Sequence, residues 1–367
     1  MDKVSKAAVL EGVGKISIKI FPLPAIRDDD ALLKVEMVGI CGSDVGMYNG
    51  KTKRVQQYFP IILGHEIVGH IEDAGDLFCD RHGVQRGDRV IAEFTFGCGF
   101  CEACIVGNYR LCVQKGRYGS YVSCNTPPHL WGGYSEFLYL PPRAMVHKIS
   151  RDIPGEAAVV VTAVLGNAIR WVSQKGGVSV GDTVVVEGPG PQGLTAIVAA
   201  RESGASKIIV TGLTRDGVRL KAARMMGADH IVEVDREDPV EKVALITGGR
   251  MADVVIDVTG STQGARTALD LLKPGGTFVM PGTYGTGVEV PLHLDKIVLN
   301  EIRILGVYSH DTNSVTPAVK LMEGRKYPFE KLVTHRFDLE HAELGIQTVA
   351  GTVEGELAVK AVILPNG

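Results

Sequence analysis

Residues 183–193 read Thr183-Val184-Val185-Val186-Glu187-Gly188-Pro189-Gly190-Pro191-Gln192-Gly193. A β-branched run stops at a glycine-rich turn, and the turn opens onto residues 193–203, where Leu194, Ile197, Val198 and Ala200 recur at helical spacing. Strand, G-x-G-x-x-G and helix, in that order, are the context in which the pattern holds a dinucleotide pyrophosphate on a helix N-terminus. Gly188 permits the tight turn, Gly190 lets phosphates approach the backbone, and Gly193 allows helix and strand to pack closely. Pro191 and Gln192 complete the expected cofactor-binding turn.

Outward from this stretch, apolar runs at 207–210, 230–234, 254–257, 277–280 and 303–307 alternate with helical segments, which predicts a doubly wound parallel sheet. Before residue 157 the texture differs. Short alternating runs such as 31–38 and 89–93, with abundant Gly and Pro, predict an irregular β-rich domain. After about residue 311 the alternation stops. A helical stretch at 316–323 and strand-like runs at 332–337 and 357–364 predict a tail that returns to the first domain. The expected division is 1–157 with 311–367, and 158–310. A chain of 367 residues exceeds what one core supports, and two domains offer a cleft for a small ligand.

Charged residues make up 22% of the chain and its net charge is −3, so no field draws in polyanions and nucleic acid is not an expected partner. No apolar run approaches the roughly 20 residues that span a bilayer. The opening residues 1–6 are too short and charged for a signal peptide, so the expectation is a cytoplasmic protein with no membrane partner.

Seven cysteines are present, and four of them stand as C-x2-C-x2-C-x7-C at Cys98, Cys101, Cys104 and Cys112. Four thiolates on one short loop, at about 95–115, can close around one zinc ion and leave no position for substrate, which predicts a structural zinc. An iron–sulfur cluster is the rival, but the seven-residue gap and the lack of a Pro after Cys112 argue against it. Cys79 and Cys124 fall outside the pattern and read as ordinary thiols.

A second constellation is Cys41-Gly42-Ser43-Asp44 with His65-Glu66. A thiolate, an imidazole and a carboxylate suit a catalytic zinc with an open position, whose Lewis acidity eases loss of an alcohol's proton before hydride leaves the carbon. Ser43 is spaced to take that proton, and Asp44 to steady a ligand through a hydrogen bond. Cys and His alone, 24 residues apart, would read as a buried thiol and a core histidine. The strand after the glycine turn ends Val210-Thr211-Gly212-Leu213-Thr214-Arg215-Asp216, without the acid that reads an NAD ribose. Either Asp216 reaches the ribose and the cofactor is NAD, the preferred option, or Thr214 and Arg215 receive the 2′-phosphate of NADP. Thr283, in the loop 281–284, is expected near the nicotinamide. Tyr48, Phe59, Trp131 and Tyr284 are candidate pocket residues.

Cys-x-Ser-Asp, then Gly-His-Glu with Gly69 and Gly75, then the four-cysteine lobe, then the glycine turn form an order that resembles the zinc-dependent medium-chain dehydrogenase/reductase family. Gly87-Asp88-Arg89-Val90, Gly132-Gly133-Tyr134-Ser135-Glu136-Phe137 and Gly227-Ala228-Asp229 extend the likeness over nearly the whole chain. The resemblance implies a GroES-like catalytic domain beside a Rossmann domain, an α/β protein overall. It implies Cys41, His65 and Glu66 on a catalytic zinc, Ser43 in a proton relay, an alcohol or ketone substrate, and a homodimer or homotetramer. Two departures stand out. Residues 157–164 lack the further Cys, Asp or Glu ligand many relatives supply there, as the polyol-dehydrogenase variant does, which relies on Cys, His, the adjacent Glu and water. Gly46 replaces the His that ends the relay in many relatives, leaving Tyr48 or water to finish it. The expected activity is reversible oxidation of a secondary alcohol, polyol or sugar hydroxyl with NAD(P). The rivals are a zinc-free NADPH-dependent enoyl or quinone reductase and a non-catalytic nucleotide-binding protein.

Overall fold

The three valines of Thr183–Glu187 are wholly buried, as are Ile208, Ile209 and Val210 beside them. Unbroken β-branched runs of this kind suit a parallel sheet covered on both faces. The structure, a computed structural model describing residues 4–367, sets six strands in the order His230–Glu233, Lys207–Gly212, Thr183–Glu187, Ala252–Asp257, Leu272–Met280, Arg303–Gly306, all parallel. Chain order therefore reverses at Thr183–Glu187, and the glycine turn emerges at that switch point, where doubly wound sheets bind ligands. The register sets Glu187 opposite Asp257 on the neighbouring strand.

The chain divides into two compact units, Met1–Ala163 with Asp311–Gly367, and Val164–His310. The first is β-rich, and the second carries the six-stranded parallel sheet. The main sheet of the first runs Val146–Lys148, Arg89–Ala92, Glu66–Ala74, Ala31–Ile40, Lys360–Ile363, Val333–Phe337, with Phe137–Leu140 also pairing with Ala31–Ile40. Gly39 pairs with Glu66 on one side, and Ile40 with Ala361 on the other. The end of the central strand thus gathers residues from the first seventy positions and from the C-terminal tail of the chain. Leu33, Val38, Ile40, Ile67, Tyr134 and Leu138 fill the core there.

Two expectations are corrected. The helix Gly155–Lys175 is 21 residues long with a mean hydropathy of 1.3 over its most apolar stretch, so one segment does reach membrane-spanning length and composition. Of that stretch, 83% is buried in the protein, as in the core helix of a folded domain. The tail helix begins before residue 316, as Thr312–Glu323, because Asp311 and Ser314 cap one another's backbone at its start.

Candidate functional site

The four-cysteine lobe is local. Thr95–Phe96 and Gly116–Arg117 pair antiparallel and close its neck. The sulfurs of Cys98, Cys101, Cys104 and Cys112 all lie within 4.8 Å of one another, and none is in a disulfide. The Cys101 N–H points at the Cys98 sulfur at 3.4 Å and the Cys98 N–H at the Cys112 sulfur at 3.5 Å. Hydrogen bonds of this kind favour the thiolate. Led by the Phe100 backbone, they draw the Cys98 thiol down to about 6, whereas burial pushes Cys104 up to about 12. Four converging sulfurs with donors already turned toward them fit a zinc ion and leave it no open position.

The second cluster is assembled from separate strands. Cys41 follows the strand Ala31–Ile40 and precedes the helix Gly42–Tyr48, and His65-Glu66 enters the strand Glu66–Ala74. The Cys41 sulfur, a His65 nitrogen and a Glu66 oxygen lie within 4.8 Å of one another. Asp44 is fully buried and steadies both sides: its Oδ2 accepts the Cys41 N–H at 2.8 Å and the Tyr134 hydroxyl at 3.2 Å. Its Oδ1 stands 3.4 Å from His65 Nδ1. Ser43 Oγ lies 3.3 Å from His65 Nε2.

Burial alone would drive His65 toward its neutral form, but Asp44 and Cys41 outweigh it and hold the imidazole well above its usual range. The surroundings therefore favour positive charge. Among the described residues, Glu66 Oε1 is buried without a hydrogen-bond partner. An acceptor left open beside sulfur and imidazole, in a field that favours a cation, fits a divalent metal ion. Tyr48 is turned to other partners. Its hydroxyl donates to Glu343 and accepts from Gln347 Nε2 at 3.4 Å, both on the helix Ala342–Ala350, and among the described residues it has no hydrogen bond to Ser43.

In the Rossmann unit Gly190 caps the helix Pro191–Glu202, with Pro191 in its first turn and Gln192 next to it. Gly188 adopts φ +104°, and a Cβ on Gly193 would collide with the Gly188 carbonyl and sit 3.3 Å from Val258 Cγ2. Only glycine fits either position. The tightness at Gly193 thus comes mainly from the turn's own carbonyl.

Past the strand Lys207–Gly212, Asp216 folds back to accept the Leu213 N–H at 3.0 Å. The Thr214 hydroxyl donates to Asp235 at 3.0 Å and Glu233 at 3.2 Å, and its N–H to Asp235 at 2.9 Å, while Arg215 is exposed. The Thr214 N–H is the main reason the Asp235 carboxyl is held below its usual range. Thr283 is exposed in its loop, and the adjoining Tyr284 hydroxyl donates to Asp257 Oδ2 at 2.6 Å. Trp131 Nε1 donates to the Thr126 carbonyl at 2.8 Å.

An alcohol dehydrogenase GroES-like domain matches residues 27–151, and a zinc-binding dehydrogenase domain matches residues 191–324. The chain is 39% identical over 368 residues to the "probable alcohol dehydrogenase" of Mycobacterium tuberculosis, covering 99% of each. It belongs to the zinc-dependent medium-chain alcohol dehydrogenase family. A sorbitol dehydrogenase of Bombyx mori is 35% identical over 340 residues, covering 91% of this chain and 92% of that relative. The crystal structure of an alcohol dehydrogenase from Thermotoga maritima superposes with a TM-score of 0.89 at 28% identity, over 99% of this chain and all of that one. As a member of the alcohol dehydrogenase family, the protein is an oxidoreductase that works on small molecules with a nicotinamide dinucleotide.

Sequence reasoning missed several residues around these sites. Lys360 is buried against Glu66, and Glu343 holds Tyr48. Asp235 holds Thr214, and Glu187 is buried beside Asp257. A signal existed for Lys360, which is the lone charge in the apolar run Ala358-Val359-Lys360-Ala361-Val362-Ile363. A charge so placed is either an edge residue or a buried partner.

Proposed function

We propose that the protein reversibly oxidises a secondary hydroxyl of a small alcohol, polyol or sugar to a ketone, with NAD as hydride acceptor. The observation that carries this reading is the meeting of Cys41, His65 and Glu66 within 4.8 Å, with Ser43 Oγ 3.3 Å from the His65 ring. Cys41, His65 and Glu66 would hold a zinc ion, whose Lewis acidity would ease loss of the hydroxyl proton. Gly188, Gly190, Pro191, Gln192 and Gly193 would hold the dinucleotide, which would supply the hydride acceptor. Ser43 takes the hydroxyl proton, and Asp44 keeps the Cys41 backbone and the His65 ring in place. Tyr48, held by Glu343 and not by Ser43, leaves water to carry the proton outward from Ser43. The four-cysteine lobe holds a second, structural zinc.

Sugar alcohols are favoured among substrates because residues 157–164 supply no further ligand, as in the polyol variant of the family, and because a sorbitol dehydrogenase is among the relatives. NAD is favoured over NADP because Asp235 and Glu233 surround Thr214 with negative charge that repels a 2′-phosphate.

Elemental analysis and steady-state kinetics test the reading together. Wild type should carry two zinc ions per chain. Cys41→Ala should keep one and lose about 10³-fold in kcat/KM, a several-kcal/mol loss of charge stabilisation. Full activity in that variant would refute the assignment. A sorbitol-type substrate should give a higher kcat/KM with NAD than with NADP, and the reverse order would overturn the cofactor preference.

A further inference from the structure

Lys360 opens the tail strand Lys360–Ile363 and is 2% exposed, although its side chain ends in an amine. Its ammonium donates to the Ile40 carbonyl at 3.0 Å and to Glu66 Oε2. The strands of Lys360 and Glu66 lie on opposite sides of Ala31–Ile40, so the two side chains meet by reaching across the central strand. They cross it at Gly39. A Cβ there would overlap Glu66 Oε2 and sit 3.0 Å from Lys360 Cε and 3.1 Å from Glu66 Cβ. No other residue leaves room for the ion pair. Glu66 thus has one oxygen taken by the ammonium and the other, Oε1, buried with no hydrogen bond among the described residues.

We infer that Lys360 and Gly39 are positioning residues that clamp one carboxylate oxygen of Glu66 and so present the other, in a fixed direction, to the cation held with Cys41 and His65. This rests on the zinc reading above. A carboxylate beside a metal can bind through one oxygen or both, or swing away, and a buried ammonium on one oxygen removes that freedom. It also keeps the anion from standing uncompensated in the core while the metal exchanges. The arrangement bears on a site with no ligand from residues 157–164, where the carboxylate takes a larger share of the coordination.

The test is Lys360→Met, close in shape but uncharged, with zinc per chain measured after dialysis against a graded chelator series and with cobalt(II) exchanged into the catalytic site. The expected result is a 10- to 100-fold weaker hold on the catalytic zinc, an effect about the size usual for supporting partners of metal ligands. Lobe zinc should stay unchanged, and the cobalt absorption bands should shift. Lys360→Arg, which keeps the cation, should restore the bands. Gly39→Ala, which displaces the carboxylate but leaves Lys360, should weaken the hold in the same direction. Retained lobe zinc and an unchanged circular dichroism spectrum identify variants that have folded. Wild-type protein with lobe zinc alone would overturn the zinc reading beneath this inference. Wild type with two zinc ions beside a Lys360→Met variant unchanged in chelator series and spectrum overturns the inference itself.

Discussion

Glu66 and Glu187 are both strand-end glutamates, 1% and 4% exposed, and they meet burial in opposite ways. Glu66 faces a buried ammonium, Lys360. Glu187 faces another carboxylate, Asp257, which is fully buried on the adjacent strand with its oxygens on Thr259 and Tyr284. Burial first, and then the Asp257 charge, raise the Glu187 carboxyl well above its usual range, and among the described residues its Oε2 has no hydrogen bond. One acid is paired with a buried amine. The other is driven to hold its proton. A buried carboxylate is therefore no single kind of object, and what sits across the sheet from it decides its charge.

The contrast is sharpest when a partner is removed. Glu66→Gln should cost the metal-free protein about 3–5 kcal/mol of unfolding free energy, because it leaves Lys360 charged and buried without its counter-ion. Denaturant unfolding checks this, and a loss below about 1 kcal/mol would mean that the pair is not closed to water. Glu66→Leu with Lys360→Met should recover most of that loss, since an apolar pair of similar volume leaves no charge buried, yet catalytic zinc should stay absent.

Glu187 should respond to pH instead. Its folded-state affinity for the proton exceeds that of the unfolded chain, so the stability it contributes is complete below about pH 4.5. That contribution falls by up to about 1.4 kcal/mol per pH unit as the pH rises toward the folded value, because the unfolded state releases the proton first. Glu187→Gln removes this slope. Its thermal unfolding temperature should move upward relative to wild type between pH 5 and pH 8, and a constant difference across that range would break the comparison. The smallest effect belongs to Tyr284→Phe. Losing one hydrogen bond to the Asp257 carboxylate should cost about 1.5 kcal/mol in denaturant unfolding, with no dependence on zinc.

Legibility followed the distance along the chain over which each feature is built. The lobe spacing Cys98, Cys101, Cys104, Cys112, the strand–turn–helix at residues 183–203 and the alternation of apolar runs were readable because each is set by neighbours within a turn or a strand. Cys41, Ser43, Asp44, His65 and Glu66 were legible as residue types whose order resembles a family, while their convergence depends on the pairing of Ala31–Ile40 with Glu66–Ala74. Only the tertiary structure decided that Lys360, 294 residues from Glu66, completes the ion pair over Gly39, that Glu343 takes the Tyr48 hydroxyl, and that register sets Glu187 against Asp257. Strand order and register bring those partners together. They arise from how whole hydrophobic faces are buried, which no local stretch encodes.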